Sequence, residues 1–144
     1  MDSIKLLLVD DEELFVETVA RRLERRNIKV LTAFSGEEAL KILESNQDTD
    51  VVILDVKMPG MDGITVLREI KQRYPLMEVI MLTGYATVES AVQGMKLGAF
   101  DYLMKPCEID DLVKKAQEAA EKKRQHLEKI REAAIRHALS SYVD

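Results

Sequence analysis

The sequence predicts an α/β domain with a five-stranded parallel sheet and five helices. Two observations support this fold class. Short apolar runs rich in β-branched residues alternate along the chain with segments of helical periodicity. Turn signals, such as Pro59-Gly60, separate the two kinds of segment. A chain of 144 residues buries roughly two-thirds of the surface of its unfolded state, so it needs no disulfide or cofactor to fold.

The strands are predicted where short segments of four to six residues consist mostly of apolar residues. They cover residues 4–9, 28–33, 51–55, 79–82 and 99–104. The third run, Val51-Val52-Ile53-Leu54, leads directly into Asp55 and is the centre of the sheet in this prediction.

The helices are predicted where apolar residues recur every three or four positions. They cover residues 14–26, a segment opened by the capping-box pattern Ser35-Gly36-Glu37-Glu38, residues 64–73, residues 88–95 with Gly98 as a left-handed cap, and residues 108–139.

The last predicted helix is unusually long, about 32 residues or roughly 48 Å. Its apolar spacing at Ile109, Val113, Ala116 and Ala120 suits packing on the sheet, and the same register continues through Lys123, Leu127, Ile130 and Ala134. We therefore divide the chain into a domain over residues 1–120 and a helical extension over 121–144. Residues 121–139 are expected to help form a dimer through paired helices. The alternative is a solvated helix held by charge pairs.

Charge and composition narrow the possible partners. The formal net charge of −5 belongs to residues 1–107, because residues 108–144 carry equal numbers of acidic and basic side chains. A negative body without a basic stripe argues against direct binding of nucleic acid. The short N-terminal apolar run precedes four acidic residues and is neither a signal peptide nor a membrane span. The single cysteine, Cys107, excludes an internal disulfide, so we expect a cytoplasmic protein without membrane partners.

Polar side chains stand at the end of four of the predicted strands or directly after it. They are Asp10 and Asp11, Asp55, Thr83 and Lys105. Because the carboxyl ends of parallel strands meet at one sheet edge, these groups are expected to share a crevice. Three acids that close together favour a hard cation such as Mg²⁺. With a hydroxyl and an ammonium added, the set suits phosphoryl transfer with an acyl phosphate on Asp55 as product.

Four motifs in this order resemble those of bacterial response regulator receiver domains. The motifs are Leu7-Leu8-Val9-Asp10-Asp11-Glu12, the run from Val52 to Gly63 around Asp55, Leu82-Thr83-Gly84, and Phe100-Asp101-Tyr102-Leu103-Met104-Lys105-Pro106. The resemblance covers residues 4 to about 120. It implies a doubly wound, flavodoxin-like sheet in the order 2-1-3-4-5 with an extended last helix.

The resemblance implies a role for each residue at the sheet edge. Asp55 is the phospho-acceptor. Asp11, Asp55 and the backbone carbonyl of Lys57 ligate Mg²⁺, and Asp10 holds the ion through water. Thr83 and Lys105 bind the phosphoryl oxygens.

The resemblance also implies a switch and leaves two rate-tuning positions open. Thr83 shifts toward the phosphoryl group on activation and Tyr102 turns inward, and the Lys105-Pro106 bond is expected to be cis. Lys57 and Tyr85 border the path of the attacking water, so we predict that this pair modulates dephosphorylation. Gly84 leaves the acceptor open to a bulky donor.

These inferences predict a signalling switch of a two-component phosphorelay. A sensor histidine kinase or phosphotransfer protein would phosphorylate Asp55, and the chain would catalyse only its own phosphorylation and dephosphorylation. A homodimer is expected through the face from the fourth to the fifth helix and through the extended last helix. The chain ends at Asp144 without an output domain, so we expect a single-domain regulator or a receiver with part of its linker, resembling receivers of ATP-dependent transcription activators.

Other interpretations remain at this stage. An Mg²⁺-dependent phosphatase with an aspartyl nucleophile is one, although it would want a second acid where Lys57 stands. A constitutive dimerisation module is another. At the level of single residues, Asp11 could cap the first helix instead of binding metal, and Asp62 is expected to cap the third.

Overall fold

A computed structural model describes residues 3–143. Residues 1, 2 and 144, at the outer ends of the two predicted segments, lie outside that range. The strands are β1 (Lys5–Val9), β2 (Lys29–Ala33), β3 (Val51–Leu54), β4 (Glu78–Thr83) and β5 (Asp101–Met104). The helices are α1 (Glu13–Glu24), α2 (Gly36–Glu44), α3 (Gly63–Arg73), α4 (Val88–Lys96) and α5 (Ile109–Val143).

The five strands form one parallel sheet in the order β2-β1-β3-β4-β5, which confirms the predicted topology. Successive side chains of a strand point to opposite faces, so the sheet has two cores. One contains Leu7, Val52 and Met81 with the buried sides of α2 and α3. The other contains Leu8 and Ile53 with the buried sides of α1 and α5. The sheet is therefore covered on both faces, as in doubly wound folds.

The predicted segment bounds differ from the structure at two places that matter. Asp55 is the first residue after β3 and not its last, so its side chain lies at the sheet edge. β5 begins at Asp101, two residues later than predicted, because the turn that ends α4 uses the intervening residues. Gly98 has a φ of +101°, and the amide of Ala99 donates to the carbonyl of Gly94 at 3.0 Å.

The helix starts fit the predicted caps only in part. Asp62 caps α3 as predicted, since its Oδ1 accepts from the amide of Thr65 at 2.9 Å. Ser35 caps α2 through the amide of Glu38, but the Glu38 carboxylate accepts from Phe34 and not from Ser35, so the predicted capping box is half formed. The N-cap of α1 is Glu12 without a side-chain cap bond, so the alternative role for Asp11 is not observed.

Helix α5 extends to Val143, four residues beyond the predicted end. The hydroxyls of Ser140 and Ser141 both donate to the carbonyl of His137, so these serines are accommodated within the helix and do not end it. None of the helices within residues 3–143 is long and apolar enough to cross a membrane.

Two lysines in the first turn of the predicted extension form ion pairs at the amino ends of β3 and β4. Lys123 Nζ lies 3.0 Å from Asp50 Oδ1, just before β3. Lys122 Nζ lies 3.6 Å from the buried carboxylate of Glu78, whose other oxygen is 3.5 Å from Lys71 on α3. Contact between α5 and the sheet therefore continues to Lys123, at the edge opposite Asp55.

Candidate functional site

Three carboxylates meet at the carboxyl edge of the sheet. β1 and β3 are hydrogen-bonded neighbours, so Asp10 and Asp11 after β1 lie beside Asp55 after β3. One carboxylate oxygen from each lies within 4.8 Å of the others. Asp10 is 2% exposed and Asp55 is 3% exposed, whereas Asp11 is at the surface. The structure thus brings together the three acids that the sequence singled out.

This cluster holds more negative charge than its neighbours neutralise. Burial raises the pKa of Asp10, and the charge of Asp55 adds to that rise, although hydrogen bonds from Lys105 and from the amide of Glu12 oppose it. Within residues 3–143, Asp55 Oδ1 is buried and has no hydrogen-bond partner. Mg²⁺ prefers oxygen ligands of this kind, so the donor set fits the ion.

Lys105 is the cation that faces the three acids. Its Nζ lies 2.6 Å from Asp10 Oδ2, 3.1 Å from Glu12 Oε1 and 4.0 Å from Asp55 Oδ2. Burial works against the ammonium, but the hydrogen bond and charge attraction to Asp10, together with smaller contributions from Glu12 and Asp55, outweigh burial and raise the pKa of Lys105. The ammonium therefore stays charged and lies closer to Asp10 than to Asp55. The Lys105-Pro106 bond is cis, as expected.

Two residues contact Lys105 that the sequence analysis did not assign to the site. Glu12 directly follows the acidic pair, so its proximity could have been anticipated from the chain alone. The ring of Phe15, on the first turn of α1, has its centroid 4.1 Å from Lys105 Nζ, which is a close cation–π contact. Helical periodicity identifies Phe15 only as an apolar residue, and its contact with a lysine ninety positions later depends on the tertiary fold.

Thr83 and Tyr102 occupy positions suited to a switch. Thr83 is fully buried at the end of β4, and its Oγ1 accepts from the amide of Tyr85 at 3.1 Å. Tyr102 lies on the neighbouring strand β5, and its hydroxyl is 2.7 Å from Ser90 Oγ on α4. That bond could not be predicted from the sequence, because it joins α4 to β5 through the tertiary fold.

Lys57 and Tyr85 lie against each other at the mouth of the site. Lys57 Nζ is 4.9 Å from the centroid of the Tyr85 ring, and Tyr85 is 62% exposed. The two loops after β3 and β4 therefore meet through this pair. Its influence on dephosphorylation remains a prediction, as does the role of the Lys57 carbonyl as a metal ligand.

A five-stranded doubly wound sheet with three acids, a threonine and a lysine at its carboxyl edge defines a receiver-type domain. The chain belongs to the response regulator receiver domain family, whose model matches residues 6–117. It is thus a receiver domain of the two-component signalling class. Phosphorylation and Mg²⁺ binding at acidic residues are typical of this family.

Known proteins and structures support this membership. A putative NtrX-like response regulator of Rickettsia felis is 40% identical over 133 residues, which are 89% of this chain and 28% of the relative. The DNA-binding transcriptional regulator NtrC of Escherichia coli is 40% identical over 74% of this chain and 22% of its own length. A receiver domain structure from Clostridium thermocellum has 41% identity and a TM-score of 0.81, covering 85% of this chain and 98% of that one. The chain thus spans about a quarter of these two curated relatives.

Proposed function

We propose that this chain is a phosphorylation-dependent switch that accepts a phosphoryl group on Asp55 from a sensor histidine kinase or a phosphotransfer protein. The observation that carries the proposal is the environment of Asp55. Its buried carboxylate has one oxygen without a hydrogen-bond partner within residues 3–143, and it lies between two further acids and Lys105. A cytoplasmic location follows from such a partner.

The side chains divide the chemistry between them. An oxygen of Asp55 attacks the phosphorus of the donor, and the bond from phosphorus to the donor's leaving group breaks. Asp10, Asp11, Asp55 and the Lys57 carbonyl would hold Mg²⁺, which supplies positive charge against the phosphoryl oxygens when bound. Lys105, already charged, supplies a second positive group to those oxygens. Thr83 donates its hydroxyl to them in the phosphorylated state.

Acetyl phosphate provides a direct test without a kinase. Incubation with acetyl phosphate and Mg²⁺ should add one phosphoryl group to the intact protein, as measured by mass spectrometry. Chelation of Mg²⁺ with EDTA should prevent the addition, because the crowded acids then lack their counter-charge. A wild-type mass that stays unchanged with Mg²⁺ present would refute the proposal. Turnover of a small phosphate ester would instead support the phosphatase interpretation.

The Lys57–Tyr85 pair should control how long the phosphoryl group survives. Tyr85→Ala removes the ring at the mouth of the site and admits water, so we expect a phosphoryl half-life about two- to five-fold shorter, the range of one exposed cation–π contact. Lys57→Asn removes the ring's partner and should act in the same direction. The half-life is measured from loss of the phosphorylated mass.

The variants also show whether the two residues act as a pair. The double variant should have nearly the half-life of the stronger single variant, because both act through one contact. Lys41→Asn, at an exposed position of α2, serves as the control and should match the wild type. If both single variants keep the wild-type half-life, the rate-tuning role is wrong.

We propose further that the chain forms a homodimer through the face from α4 to α5 and through the extension of α5. Large apolar side chains at the surface support both parts. On the first they are Val88 (84% exposed), Val92, Met95 and Met104, and on the extension they are Ile130, Ile135 and Leu139. Phosphorylation would act by changing the affinity of this face for a second copy of the chain. The names of the relatives suggest transcription control as the output.

Shortening the extension should weaken the dimer. We place the cut after Gln125, because Lys122 and Lys123 then keep their ion pairs with the body. Each apolar side chain buried in an interface contributes about 1.5 kcal/mol or more, so the association constant should fall at least tenfold. Sedimentation equilibrium measures the constant. Glu128→Gln in the full chain is the control, and an association constant unchanged by the truncation would contradict the proposal.

A further inference from the structure

The hydroxyl of Ser90 joins the switch aromatic to the start of α4. Ser90 is the third residue of α4 and forms a capping box with Thr87. Its amide donates to Thr87 Oγ1 at 3.0 Å, and the Thr87 amide donates back to Ser90 Oγ at 3.2 Å. The same Ser90 Oγ lies 2.7 Å from the hydroxyl of Tyr102. One oxygen therefore serves both the cap of α4 and the orientation of Tyr102.

Ser90 Oγ has more polar neighbours than it can satisfy. It lies within 3.2 Å of the amide, the hydroxyl and the carbonyl of Thr87, and the Tyr102 hydroxyl is a fourth neighbour. A serine hydroxyl has one proton and two acceptor lone pairs, so it makes at most three of these four bonds at once. The bond to Tyr102 competes with the cap. If the Tyr102 hydroxyl moves away, Ser90 Oγ still has hydrogen-bond partners, because the amide, hydroxyl and carbonyl of Thr87 remain within 3.2 Å.

The ring of Tyr102 lies beside Gly94 of α4, where the absence of a side chain leaves room for it. A Cβ added at Gly94 would stand 3.7 Å from Tyr102 Cδ2 and 3.8 Å from Met81 Cγ, so the ring passes close to the backbone of α4 beside the core. Tyr102 packs against that core but remains partly exposed. The ring therefore makes van der Waals contacts on its core side, and its hydroxyl makes a directional bond to Ser90.

The attachment is also linked to Thr83 along the chain. Thr83 Oγ1 accepts from the amide of Tyr85, two residues before the cap residue Thr87. A movement of Thr83 toward a phosphoryl group would break that bond and free the short segment that leads into α4. The cap, Ser90 and Tyr102 would then respond together. Thr83, the segment up to Thr87, and Ser90 with Tyr102 thus form a contiguous chain of contacts, and a switch requires such an element to have a second arrangement.

We infer that Ser90 is a positioning residue that latches Tyr102 to α4 in the unphosphorylated domain, and that release of this latch is part of switching. The inference rests on the proposed function in its second half only. In the unphosphorylated protein the latch is a property of the fold and can be tested by itself. Breaking it should make the domain easier to switch, since one contact of the resting state is lost.

Beryllofluoride, an analogue of the phosphoryl group, tests the switching half. With Mg²⁺ present, Ser90→Ala should bind beryllofluoride about three- to ten-fold more tightly than the wild type, the range given by one net hydrogen bond. Fluorine NMR titration measures the affinity. Ser90→Thr keeps the hydroxyl and should restore affinity toward the wild-type value. Unchanged or weaker binding by Ser90→Ala would overturn the inference.

Thr87→Ala is the matched control, because it also weakens the cap of α4 but leaves Ser90 free to bond Tyr102. Its affinity for beryllofluoride should equal or fall below that of the wild type. A gain equal to that of Ser90→Ala would assign the effect to the lost cap and would overturn the latch.

Carbon NMR of labelled tyrosine rings tests the latch without any analogue. The Tyr102 signal, assigned by its loss in Tyr102→Phe, should shift in Ser90→Ala and stay near its wild-type position in Ser90→Thr. An unchanged signal in Ser90→Ala means that the latch does not exist. Failure of every variant and of the wild type to bind beryllofluoride refutes the proposed function, and the ring signal then decides on the latch alone.

Discussion

Replacement of Asp55 by asparagine should abolish phosphoryl uptake from acetyl phosphate while leaving the fold at least as stable as that of the wild type. The neutral amide of asparagine is not a competent nucleophile for phosphorus, and Asp55 is the buried acid of the cluster that follows the central strand β3. The measurement is the mass of the intact protein after incubation with acetyl phosphate and Mg²⁺.

The stability of this variant follows from the charge of the cluster. Oxygens of Asp10 and Asp55 lie within 4.8 Å of each other, and two unit charges at such a distance repel by on the order of a few kcal/mol at an effective dielectric constant of ~20. Removing one charge relieves part of that repulsion, although Lys105 also loses a nearby carboxylate. The free energy of unfolding, measured with urea, should not decrease.

Asp62→Asn on the same loop is the matched control for Asp55→Asn. Asp62 caps α3, and asparagine caps helices about as well as aspartate. This variant should take up one phosphoryl group as the wild type does. Uptake by Asp55→Asn, or its loss in Asp62→Asn without unfolding, would show that the acceptor has been misassigned.

The sequence predicts the fold and the acids of the site because both depend on local patterns. Apolar runs such as Val51–Leu54 mark buried strands, and the polar residue that ends each run must lie at the sheet edge. Asp10, Asp11, Asp55 and Lys105 were found in this way, and the structure brings them together. For these four residues, the order of apolar and polar residues and the shared sheet edge are enough to predict that they lie close together.

Contacts made across the fold were not predictable in the same way. The ring of Phe15 over Lys105 and the bond between Ser90 and Tyr102 each join residues that no periodicity relates. The ends of helices were also mispredicted where a side chain bonds to the backbone of its own helix. The serines near the end of α5 bond back to the carbonyl of His137, so the helix continues where its composition suggested an end.

Replacement of Gly63 by alanine should lower the free energy of unfolding by about 3 kcal/mol, the upper end of the usual cost of overpacking. An added Cβ would clash with the backbone oxygen of Asp55 and would stand 2.7 Å from the Cα of Val56. These are backbone atoms, which cannot rotate away as a flexible side chain does. The start of α3 must therefore move away from the end of β3, where Asp55 lies.

Gly84→Ala is the matched control, because nothing lies within 4 Å of a Cβ added there. Its free energy of unfolding should stay within about 0.5 kcal/mol of the wild-type value, as for most surface substitutions. Urea denaturation of both variants measures the difference. Because the Gly63→Ala clash falls on the carbonyl of Asp55, that variant should also take up phosphoryl groups more slowly under conditions where it remains folded. Equal stability of the two variants would mean that α3 is not held against Asp55 as closely as the structure shows, and the position of Asp55 would then not depend on a glycine at the start of this helix.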